Sequence, residues 1–111
     1  MAKYQRKIRG DFDKILKAID EAVRINSSTA SLEDVADYYG NGVRSALRVY
    51  ERYSALGGNR VSMSVWLIGS DGEYTLTAIT AGGSTGILFK VNTLGEKSFL
   101  NTIIETAEKF K

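Results

Sequence analysis

The chain has 111 residues, with 15 Lys plus Arg against 13 Asp plus Glu, a formal net charge of +2, and neither histidine nor cysteine. That length suits a single domain with one core, large enough to fold without disulfides or a structural metal. The common hydrolase triads, thiol chemistry and ordinary zinc sites are excluded, so catalysis would have to rest on Asp, Glu, Lys, Tyr or Ser, and we expect neither a cofactor nor an enzyme.

Residues 3–9 alternate, with Tyr4, Arg6 and Ile8 on one side and Lys3, Gln5, Lys7 and Arg9 on the other. This predicts a short edge strand whose basic side meets water. No apolar stretch follows these bases, so the N-terminus does not read as a secretory signal, and nothing reads as a membrane span; a cytoplasmic location is expected. Asp11 is a good N-cap for a helix running to about Asn26, in which Phe12, Ile15, Leu16, Ile19, Ala22 and Val23 recur at three- and four-residue spacing. Residues 29–39 fit either a strand, through the alternation of Ala30, Leu32, Ala36 and Tyr38, or a helical turn around residues 32–36; we take the strand. Its acidic cluster, Glu33, Asp34 and Asp37, lacks the spacing of an EF-hand and reads as solvated charge rather than a cation site.

Gly40-Asn41-Gly42 predicts a tight hairpin into a strand over residues 43–56, with Val43, Leu47, Val49 and Tyr53 on one side and Arg44, Arg48, Tyr50 and Arg52 on the other. Gly57-Gly58-Asn59 turns the chain into residues 60–68, where Val61, Met63, Val65 and Leu67 oppose Ser62, Ser64, Trp66 and Ile68. After the Asp71-Gly72 turn, Tyr74, Leu76 and Ala78 alternate with Thr75, Thr77 and Ile79 over residues 73–80. A glycine-rich corner then leads to a further predicted strand at residues 87–91. Thr93-Leu94-Gly95-Glu96 has the spacing of a capping box, opening a last amphipathic helix with Phe99, Leu100, Ile103, Ile104, Ala107 and Phe110 on its apolar stripe.

The predicted fold is therefore α+β, in the order β-α-β(4-5)-α, with a curved antiparallel sheet covered on one face by two helices across a single domain of residues 1–111. This element order resembles the TBP-like and helix-grip arrangement. The stretches Ala46-Leu47-Arg48-Val49-Tyr50-Glu51-Arg52-Tyr53-Ser54, Gly57-Gly58-Asn59-Arg60-Val61-Ser62 and Ala78-Ile79-Thr80-Ala81-Gly82-Gly83-Ser84 resemble a family of small uncharacterised proteins of Gram-positive bacteria, a domain of unknown function. That resemblance implies no catalytic residue.

If the run from Val61 to Leu67 faces the helices, Trp66, Ile68, Ile79 and Leu88 lie on the opposite face. We expect them to share it with Arg44, Arg48, Tyr50 and Arg52, a composition suited to an interface, and therefore a homodimer through the sheet face. Two alternatives stand beside it. A small apolar ligand would occupy a cavity between sheet and C-terminal helix lined by Ser45, Tyr53, Met63 and Tyr74, with Glu51 nearby. Nucleic acid would be gripped by the row Arg44, Arg48 and Arg52, although the small net charge argues against it, and the expected state of the three arginines is pairing with neighbouring carboxylates. Gly82, Gly83 and Ser84 offer a backbone nest for an anion, but they feed a strand rather than a helix N-terminus, which favours a wide hairpin.

Overall fold

Two tight turns set the architecture. Asn41 and Gly42 lie at φ 54° and 79°, and Asp71 and Gly72 at 56° and 77°, the left-handed pairs that a two-residue hairpin needs to match the twist of its strands. The computed structural model describes residues 1–53, 60–82 and 89–111, with side chains from Gly95 onward in the last segment. It contains β1 (Ala2–Arg9), α1 (Phe12–Asn26), β2 (Ser31–Gly40), β3 (Val43–Tyr53), β4 (Arg60–Ser70), β5 (Glu73–Gly82) and α2 (Phe89–Glu108). The strands form one antiparallel sheet in the order β1-β5-β4-β3-β2.

Asp11 caps α1, its carboxylate accepting the Lys14 N–H at 3.0 Å, and Phe12, Ile15, Ile19, Ala22 and Val23 are buried along the helix. Phe99, Leu100, Ile103 and Ala107 do the same on α2. Both stripes close over Val61, Met63, Val65 and Leu67 of β4 and Leu76 and Ala78 of β5, with Ile8 of β1 beneath them. The segment at residues 29–39 is a strand. Two helices about 10 Å wide cover only about four strands spaced near 4.8 Å, and the fifth, β2, is left exposed along almost its whole length.

One expected element is replaced. Residues 89–91 belong to α2 rather than to a strand, while the rest of that predicted strand, including Leu88, lies outside the described residues. The helix therefore starts before Thr93, and Glu96 does not close a capping box: it is buried, and its carboxylate meets the Met1 amine at 2.8 Å. The β-branched and aromatic residues before Thr93 favour a strand locally, but a 20-residue helix spans about 30 Å, the length of the strands it packs on. Burial of Phe99, Leu100, Ile103 and Ala107 against the sheet favours the helix over local propensity.

Candidate functional site

Pairing across the sheet arranges the uncovered face as a grid. One row reads Lys3, Ile79, Ser64, Val49, Asp34; the next reads Gln5, Thr77, Trp66, Leu47, Ala36; a third reads Lys7, Thr75, Ile68, Ser45, Tyr38. The centre of the grid is apolar. Trp66 is 43% exposed and Ile79 38%, and with Leu47, Ser64 and Thr77 they line a shallow depression of about 300 Å³. The Trp66 indole N–H donates to the Ser45 hydroxyl at 2.7 Å, so the one polar atom of the largest exposed side chain is already satisfied within the sheet. Covering that ring removes apolar surface from water without orphaning a donor.

The register corrects the composition expected for this face. Trp66, Ile68 and Ile79 share it, whereas Arg44, Arg48, Tyr50 and Arg52 project from β3 toward the helices. Arg44 lies 4.0 Å above the Phe12 ring and forks onto Asp13 at 2.9 and 3.3 Å. Arg48 reaches Asp37 at 2.7 Å. The Arg52 guanidinium stacks 4.6 Å from the Phe99 ring and donates to the Ser27 hydroxyl and the Gly95 carbonyl; its burial lowers its pKa. Tyr50 is core, its hydroxyl donating to Asp20 at 2.9 Å. Pairing with carboxylates holds for two of the three arginines, and all three are engaged within the fold rather than aligned for phosphates.

The four residues expected around a ligand do not line one space. Met63 is fully buried core and Tyr74 packs edge-to-face on Phe12 with ring centroids 5.1 Å apart, both on the helix side. Ser45 and Tyr53 are on the opposite face, where Tyr53 lies 5.5 Å from the Arg60 guanidinium and Glu51 pairs with Arg60. Gly82 ends β5, while Gly83 and Ser84 of the expected nest lie outside the described residues. Each acid of β2 accepts a local hydrogen bond, Glu33 from Ser31, Asp34 from the Val35 N–H and Asp37 from Arg48, and of the three only Asp37 has an ion pair among the described residues. Among the described residues no group of three or more carboxylates is placed to hold a metal ion, and no helix is long and apolar enough to cross a membrane.

Two tyrosines and two carboxylates respond to pH through the fold. Burial, reinforced by its hydrogen bond to Glu108, pushes the Tyr4 hydroxyl up to about 12, and burial together with the Asp20 hydrogen bond raises Tyr50 as well. Raised tyrosines stabilise the fold fully below the unfolded value near 10, and that contribution is lost as pH climbs through the folded value. A spectrophotometric titration should therefore show Tyr4 and Tyr50 ionising late, with unfolding setting in above about pH 10. Tyr50→Phe should delete one late component; tyrosinate absorbance that rises unchanged would refute its assignment. In acid the sign reverses. Asp13, held down by its hydrogen bond from Arg44, and Glu108, held down by its hydrogen bond from Tyr4, stabilise the fold above the ordinary carboxylate range and cease to do so as pH falls through their lowered values.

No curated protein and no solved structure matches this chain. A family model described as "Family of unknown function (DUF6054)" matches residues 1–111, and the chain belongs to that family.

Proposed function

We propose that this chain is a non-enzymatic interaction module that self-associates as a homodimer through the uncovered face of its sheet. The observation that carries this reading is the Trp66 surface: an aromatic ring with its polar atom satisfied, set among Leu47 and Ile79 at the middle of a face that neither described helix covers. Five strands of about ten residues present on the order of 800 Å², which is the share each partner contributes to a stable interface of standard size.

Growth of the sheet from its edges is the competing route, and β2 opposes it. A bulge between Leu32 and Asp34 breaks its register, and the Asp34 carboxylate occupies the Val35 N–H; both devices blunt an edge. On β1 the Arg9 N–H is taken by the Phe110 carbonyl. The β-α-β4-α order supports a TBP-like or helix-grip reading of the topology, and a bacterial, cytoplasmic setting belongs to the same proposal.

Sedimentation equilibrium and native mass spectrometry test it. The wild type should form a ligand-free dimer, and Trp66→Ala should weaken dimerisation by about 30-fold or more, as the loss of a central aromatic anchor does, without changing the circular dichroism spectrum. A monomer carrying added mass would overturn the proposal in favour of an apolar-ligand carrier.

A further inference from the structure

The grid carries opposite charges at its two ends. Lys3 and Lys7 of β1 occupy one margin of the uncovered face, and Asp34, with Glu33 at the bulge beside it, occupies the other. Lys3 and Asp34 stand in the same row, two strands either side of β4. A surface whose charges lie equally far from its middle strand, with opposite sign, is complementary to itself under a two-fold axis running along that strand.

We propose that two copies stack face to face about an axis parallel to β4, so that the basic margin of each lies over the acidic margin of the other. The inference rests on the reading of this face as a self-association surface and fixes its geometry. Lys3 then faces Asp34 of the second copy, Lys7 faces its Tyr38, Ile79 faces its Val49, and Trp66 meets its own counterpart on the axis. The only other way to lay the two sheets together with their strands aligned has its axis across the strands. With its axis along the Trp66 row, that arrangement sets Lys3 over Lys7, so like charges oppose at the basic end, and Asp34 over Tyr38, so the acid gains no basic partner. Packed sheets rotate by about 30°, which moves the outer strands by roughly 5 Å relative to one another. A lysine side chain reaches across that offset.

The test uses two charge-reversed chains, Lys3→Glu with Lys7→Glu, and Glu33→Lys with Asp34→Lys. All four positions are exposed, and circular dichroism of each variant checks folding. Each variant alone should dimerise at least about tenfold more weakly than wild type at low salt, because its two margins now carry one sign. An equimolar mixture should recover the wild-type affinity as a heterodimer, resolved by mass. In 1 M salt, where screening acts within about 3 Å, the differences should collapse. Variants that dimerise as well as wild type would overturn the proposed axis while leaving self-association standing. A wild type that is monomeric at high concentration would remove both.

Discussion

Gly69→Ala should lower stability by about 2–4 kcal/mol, read as a fall of about 10–20 °C in Tm. Gly69 sits in β4 at φ 154°, a conformation that a side chain disfavours, between Arg44 of β3 and Tyr74 of β5. A Cβ there would press on the Glu73 carbonyl oxygen and lie 2.8 Å from the Tyr74 Cα. Both obstacles are backbone atoms of the neighbouring strand, so no rotamer change relieves them; β4 and β5 would have to part beside their hairpin. Gly72→Ala provides the control. Its φ of 77° is also left-handed, but the nearest atom to an added Cβ is the Gly10 carbonyl oxygen at 3.8 Å. Only the conformational cost remains, about 1–2 kcal/mol. Equal losses at the two positions would show that the β4–β5 register relaxes around Gly69.

Hairpin chemistry explains why β4 and β5 could be read from sequence and β3 could not. The two-residue Asp71-Gly72 turn ties the alternation of β5 to that of β4, so once Val61, Met63, Val65 and Leu67 are taken as inward, Leu76 and Ala78 must be inward and Ile79 outward. Between β3 and β4 the sequence carries Gly57-Gly58-Asn59, a turn signal that does not fix how the alternation of one strand carries over to the next. The phase of β3 in the sequence rests on polarity, and polarity misleads there. Arg44, Arg48 and Arg52 face the helices because β3 lies at the margin of the two-helix layer, where guanidinium groups can stack on Phe12 or Phe99 and reach Asp13, Asp37 or the Gly95 carbonyl. The uncovered face of β3 then carries Leu47 and Val49, residues that look like core.

The same geometry hid the exposure of β2. The alternation of Ala30, Leu32, Ala36 and Tyr38 predicts the strand, yet Leu32 is 47% exposed and Tyr38 67%. The number of strands relative to helices decides this, and it is a property of the whole chain rather than of the segment. Face-to-face stacking would place Tyr38 against the basic margin of a second copy, which gives this exposed ring a counterpart without extending the sheet edge.

Phe99→Ala should cost about 3–5 kcal/mol in urea unfolding, the range for emptying a buried aromatic site. The ring is fully buried on α2, in the layer closed by Met63 and Val65, and it also supports the Arg52 guanidinium 4.6 Å away. Its removal leaves both a cavity and a half-buried cation without its aromatic neighbour, which adds to the loss. Phe99→Leu fills most of the space and should cost about 1–1.5 kcal/mol. A domain of this size has only about 5–15 kcal/mol to lose, so Phe99→Ala should take a large fraction at any protein concentration. Trp66→Ala, on the other side of the same sheet, should shift the urea midpoint mainly at high concentration, because it removes contacts between copies rather than within one. A concentration-independent loss at Trp66 as large as that at Phe99 would place the indole in the folding core, and the uncovered face would then need no second copy to account for it.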